Sequence, residues 1–147
     1  MLEKAMWAHG HSMVIEYESR IALTWRAGFY IRVVGRAGTT NWFHFAIPTA
    51  VIVNDNRLRI DSAMLRYRCK SSHADVTNLH VFDGETKVLS RDGLNLSPTA
   101  WDFERFVLPD KPEVRWGVGV TVGVRFNGTS NTDNTMEFAS AGVDFLP

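Results

Sequence analysis

The chain has a single cysteine, Cys69, in 147 residues, so no intrachain disulfide can form and no four-thiolate zinc site can be built. It has no excess of either charge, since 16 Lys and Arg balance 16 Asp and Glu. Without a broad positive field it is poorly equipped to hold nucleic acid or an anionic membrane. No run approaches the roughly twenty apolar residues of a membrane-spanning helix, and Met1 to Trp7 contains no apolar signal core. A cytoplasmic location is therefore expected, with neither nucleic acid nor membrane as partner. Also missing are a Gly-x-Ser-x-Gly elbow, an internal repeat, a Pro/Gly/Ser-rich linker and any apolar stripe at helical spacing beyond a turn or two. Helix should be minor. A hydrophobic content of 45% still supports a real core, and residues 1–147 are expected to form one domain.

What the sequence does contain is alternation. Val114, Trp116, Val118, Val120, Val122, Val124 and Phe126 share one parity, and Arg115, Gly117, Gly119, Thr121, Gly123 and Arg125 the other, which predicts one long strand over 114–126 with a buried face. The same period marks Ile21/Leu23/Trp25, Phe29/Ile31/Val33, Phe43/Phe45/Ile47, Leu65/Tyr67/Cys69 and Leu79/Val81 as inward sets. In the last segment the inward parity shifts between Phe138 and Val143, which predicts a β-bulge near Ala141-Gly142. Turn residues such as Asn54-Asp55-Asn56, Asp83-Gly84 and Asn127-Gly128 separate these runs. Many short strands and little helix predict an all-β, two-sheet sandwich, jelly-roll-like in form.

Several groups of residues have chemistry to offer. His9, His11 and Glu16 are ligand types suited to a transition metal, and their spacing resembles the first metal motif of the cupins. The glycines that flank that motif, its second half and a third histidine are absent, so no metal and no cofactor is expected. Trp42 and His44 share the outward face of one strand, and Asn78, His80 and Phe82 that of another. An indole offers a stacking surface, imidazole moves protons near neutral pH, and Asn orients hydroxyls. This face, with Trp116, Gly117 and Gly119, is the candidate ligand site, and the bland alternative is a second packed layer. Among the glycines, 117 and 119 are read as a bare floor and 123 as making room for a packed ring. Arg57, Arg59, Arg66, Arg68 and Lys70 concentrate positive charge, while Asn127 to Pro147 holds only acids. This asymmetry suits contacts between subunits or solvated strand faces.

Trp7-x-His9-Gly10, Asn41-Trp42-Phe43-His44 followed by Ile47-Pro48-Thr49, Asp83-Gly84, Trp116-Gly117-x-Gly119 and Ala141-Gly142-x-Asp144-Phe145 together resemble an uncharacterised family of small bacterial and fungal all-β proteins. The resemblance implies a sandwich and supplies no reaction. The leading functional expectation is a module that binds a small or carbohydrate-like ligand. The alternatives are a cofactor-free isomerase, cyclase or hydrolase with His44 or His80 as acid or base, and a self-associating structural protein. A homo-oligomer, a dimer in the first instance, is expected from the exposed strand edges.

Overall fold

A computed structural model describes residues 1–147. Thirteen strands follow one another: β1 (Lys4–His9), β2 (Val14–Ile15), β3 (Ile21–Arg26), β4 (Ile31–Gly35), β5 (Thr39–Ile47), β6 (Ile52–Val53), β7 (Asn56–Arg57), β8 (Arg59–Cys69), β9 (Ala74–Asp83), β10 (Thr86–Arg91), β11 (Asp102–Val107), β12 (Val118–Phe126) and β13 (Thr135–Leu146). Helix is confined to two single 3-10 turns, Gly10–Ser12 and Glu18–Arg20. One sheet runs β11-β8-β13-β4-β3 with β1 also on β13, the other runs β10-β9-β12-β5-β2, and all pairings are antiparallel. The result is the two-sheet, jelly-roll-like sandwich that the alternation predicts.

Inward residues of both sheets form one core. Phe43 and Phe45 of β5 meet Phe138 of β13 across the sandwich, with ring centroids 5.3 and 5.7 Å apart. All three are buried, and burying each such side chain contributes roughly 1.5–3 kcal/mol. Cys69 and Tyr67 also lie in this core, where burial pushes the Cys69 thiol up to about 12. That removes it as a thiolate nucleophile.

Three expectations need correction. The strand predicted over 114–126 begins only at Val118. Before it, the Asp83 carboxylate accepts from the backbone N–H groups of Arg115, Trp116 and Gly117 at 2.8, 2.9 and 3.1 Å. Gly117 takes φ +132°, which breaks the extended run and turns Trp116 out to 74% exposure. Leu23, Trp25 and Phe29, read as inward, are about half exposed: a bulge between Ile21 and Leu23 sets Leu23 and Trp25 opposite Val34 and Arg32 on the outer face, and Phe29 precedes β4. The bulge in β13 lies at Ala139, between Phe138 and Ser140, with a second shift between Asp144 and Phe145. There β13 exchanges one neighbour for another: residues 135–138 pair with β4 and residues 140–145 with β1.

The charge asymmetry is met in part within the chain. Arg68 of β8, Lys70 just after it and Arg32 of β4 converge on Glu137, and Arg105 of β11 pairs with Asp144 at 2.6 Å. The basic and acidic segments are adjacent strands of one sheet. Motifs distant in sequence pair in the same way: Trp7 lies over Gly142, and Asp83-Gly84 holds Trp116-Gly117.

Candidate functional site

Antiparallel register sets the outward face of the second sheet in rows. Thr121 of the central strand β12 is flanked by His44 on β5 and His80 on β9. One row away Gly119 lies between Ala46 and Phe82, and on the other side Gly123 lies between Trp42 and Asn78. Trp42 lies across Gly123, and a Cβ there would be 2.9 Å from the indole Cζ3. A side chain at 123 would push the ring off the sheet. The indole lies 5.0 Å from the His80 ring, centroid to centroid, with the two planes tilted by 39°. The cleft so formed has a volume of about 180 Å³ and is lined by Glu16, Trp42, His44, His80, Phe82 and Thr121. Beyond the indole is a second hollow of about 130 Å³, with Asn41, Thr77 and Asn78 among its walls.

The Asn-Trp-Phe-His block supplies one function per residue. Asn41 is buried and clamps Tyr17, accepting from its N–H at 3.0 Å and donating to its carbonyl at 2.9 Å. The preceding N–H, of Glu16, donates to the Trp42 carbonyl at 3.0 Å. Trp42 walls the cleft, Phe43 fills the core, and His44 meets the carboxylate that this clamp delivers. His44 Nε2 lies 2.9 Å from Glu16 Oε1, and Nδ1 lies 2.9 Å from Thr121 Oγ1. A carboxylate only accepts, so the Glu16 contact assigns the proton to Nε2 and leaves Nδ1 to accept from the Thr121 hydroxyl.

His80 is anchored in parallel. Asp92 accepts from His80 Nε2 at 2.8 Å, Asn78 Nδ2 at 2.6 Å and Ser90 Oγ at 2.8 Å. These three hydrogen bonds, that from His80 foremost, hold the exposed Asp92 carboxyl well below the usual carboxylate range. The cleft therefore presents two imidazoles, each oriented by its own carboxylate, beside an aromatic wall.

The structure brings Trp42, His44 and His80 into one cleft and places Asn78 behind the Trp42 wall. Gly119 borders the cleft beside Phe82, with no atom nearer than 3.9 Å to the position of a Cβ. Trp116 and Gly117 lie at the end of the sheet, outside the lining, so the expectation that they belong to the site is not met. The metal trio does not assemble: Glu16 goes to His44, while His9 Nδ1 accepts from the His11 N–H at 3.2 Å and His11 Nε2 contacts the Ala27 carbonyl. Sequence reasoning missed Asp92 and Thr121 as site residues and assigned Glu16 to other partners. Thr121 was accessible through its outward parity between two glycines.

Residues 1–146 match a family of unknown function, DUF6623. No curated protein matches the sequence. Among solved structures, the chain is similar to a low-affinity xylan-binding module, CBM86, from Roseburia intestinalis, at 10% identity and a TM-score of 0.57 over 98% of this chain and 97% of that one. A family 35 carbohydrate-binding module from Clostridium thermocellum matches at 11% identity and a TM-score of 0.55, over 96% and 98% of the two chains. PfGH50B matches at 8% identity and a TM-score of 0.63, this chain spanning 24% of its length. At such identities the likeness is one of fold.

Proposed function

We propose that this chain, which belongs to the DUF6623 family over residues 1–146, is a binding module that holds one ring of a carbohydrate, or a small molecule of similar shape, against Trp42. The observation that carries this reading is the indole laid over Gly123 one row from two carboxylate-anchored imidazoles, an apolar stacking wall beside fixed polar groups. The open cleft, about 180 Å³, lies below the roughly 300–1,000 Å³ of drug-sized pockets. That size suits a single ring of a longer chain. The carbohydrate-binding modules that share the sandwich support the same ligand class.

The test is affinity electrophoresis of the full chain in gels containing xylan, β-glucan or mannan. At least one neutral polysaccharide should retard the wild type, and Trp42→Ala, checked for folding by thermal melt, should restore free mobility. Absence of retardation in every gel, or equal retardation of the variant, would overturn the reading.

One observation favours an alternative. Glu16, His44 and Thr121 form a continuous carboxylate–imidazole–hydroxyl relay in which the ring is set to take the hydroxyl proton. A cofactor-free hydrolase on this relay would lose turnover with His44→Ala. We also propose a homodimer in solution, supported by the exposed edges of β3 and β10, and a cytoplasmic location, supported by a lone cysteine kept as a buried thiol.

A further inference from the structure

The outer face of the other sheet holds a second set of aromatic side chains. One row crosses it: Trp25 on β3 opposes Arg32 on β4, Arg32 opposes Glu137 on β13, and Glu137 opposes Arg68 on β8. Trp101, just ahead of β11, closes the row, with the Arg68 guanidinium 4.5 Å from its ring centroid. Arg32 lies 4.9 Å from the Trp25 ring in the same manner. The Glu137 side chain is fully buried and accepts from Arg32 Nε at 2.8 Å and from Arg68 Nε, with Lys70 Nζ 3.7 Å away. Three cations share one carboxylate, so two positive charges are left over. The cations remain open to solvent, with side chains 28% (Arg32), 23% (Arg68) and 35% (Lys70) exposed.

Above this base Phe29 is 58% exposed and Trp25 50% exposed. Tyr30 lies beneath, 4.7 Å from the Phe29 ring and 6.0 Å from Trp25. Rings facing water gain little stability from doing so, and here Trp25 and Trp101 are backed by the two arginines that Glu137 holds, while Phe29 packs on Tyr30 and Trp101. Aromatic rings beside surplus positive charge match a ligand that is both stackable and anionic. A second copy of the chain fits poorly, because a two-fold contact through this face would set the surplus charge of one copy against that of the other.

We propose that the Trp25, Phe29 and Trp101 face is a second binding surface, distinct from the Trp42 cleft, for an anionic sugar ring, its carboxylate or sulfate meeting Arg32, Arg68 and Lys70. The chain as a whole lacks the positive field that RNA or DNA requires, which leaves a sugar with one charge per ring as the better fit to a local surplus of two.

Affinity electrophoresis of the full chain in polygalacturonate and in dextran sulfate tests this, with xylan and poly(U) gels run beside them. Retardation in at least one of the two anionic polysaccharides is expected, weakening as salt rises, and whichever gel retards identifies carboxylate or sulfate as the charge. Trp25→Ala, on an exposed edge strand, should weaken it about tenfold, and Lys70→Gln should flatten its salt dependence. Trp42→Ala should leave it unchanged, which separates failure here from failure of the cleft. The proposal is overturned by free migration in both anionic gels, by tighter retention in poly(U), by an unaltered Trp25→Ala variant, or by light scattering that finds a dimer which Trp25→Ala splits.

Discussion

Two glycines in the same strand should respond oppositely to the same methyl group. At Gly123 an added Cβ would meet Asn78 Oδ1 and the Trp42 indole at 2.9 Å and Asn78 Cβ at 3.0 Å, well inside the roughly 3.5–4.0 Å of comfortable contact. Neither neighbour yields freely. Asn78 is tied to Asp92 at 2.6 Å and to the Thr77 hydroxyl at 2.7 Å, and the indole is backed by His80. Overpacking of this kind costs about 1–3 kcal/mol. Taking about 2 kcal/mol, and about 3–4 °C per kcal/mol for a domain of this size, Gly123→Ala should melt about 6–8 °C lower. The displaced indole should also alter tryptophan fluorescence and weaken any ligand held in the cleft. At Gly119 the nearest atom is the Phe45 carbonyl oxygen at 3.9 Å and the backbone is ordinary strand. There Ala restricts the unfolded chain, a gain of about 0.4–1 kcal/mol, so Gly119→Ala should melt at the wild-type temperature or up to about 3 °C higher. Differential scanning calorimetry of the two variants decides. Equal melting temperatures, or a larger loss at 119 than at 123, would refute the placement of Trp42 over the sheet.

Glu137 is buried, which pushes its carboxyl up, yet hydrogen bonds from Arg68 and Arg32 outweigh burial and hold it below its ordinary value of 4.5. A folded-state value below the unfolded one stabilises the protein above about pH 4.5, and that stability is lost as pH falls through the lowered value. Glu137→Gln should therefore cost about 3 kcal/mol at pH 7, and urea titrations should show the gap to wild type closing below pH 4.5; a gap constant with pH would refute the assignment. Asp83→Ala removes the acceptor for three backbone N–H groups and should cost about 3 kcal/mol, with Asp83→Asn, which keeps one carbonyl acceptor, costing about half as much. Equal melting temperatures for the two would show that the carboxylate does not organise residues 115–117.

The sandwich was legible because one face of each central strand is buried: Val118 to Phe126 alternates in sequence as it does in burial, save at Gly123, which Trp42 and Asn78 cover. The same pattern misleads at Trp116, where a carboxylate 33 residues away captures the backbone, and at Trp25, where a bulge between Ile21 and Leu23 turns the apolar parity to the outer face. Trp42, His44 and His80 were found by parity alone. Their carboxylate partners were not, because Glu16 is 28 residues from His44 and Asp92 is 12 from His80, and strand register joins them. The aromatic face of the other sheet escaped because the alternation set Trp25 and Phe29 inward, whereas the bulge in β3 turns Trp25 out, Phe29 lies ahead of β4, and Trp101 lies in a loop where no period marks a direction.

The pairing order has a consequence for synthesis. The strand at the centre of each sheet comes last in the chain: β12 joins β9 to β5, and β13 joins β8 to both β4 and β1. Before residue 118 is made the strands can pair only in twos, β2 with β5, β3 with β4, β8 with β11 and β9 with β10. At about 5–20 residues per second, several seconds separate the emergence of β5 from that of β12, and in the meantime these pairs cannot be joined into either sheet. Outward Arg and Lys residues on those early strands would oppose contact between their open edges until the two central strands emerge.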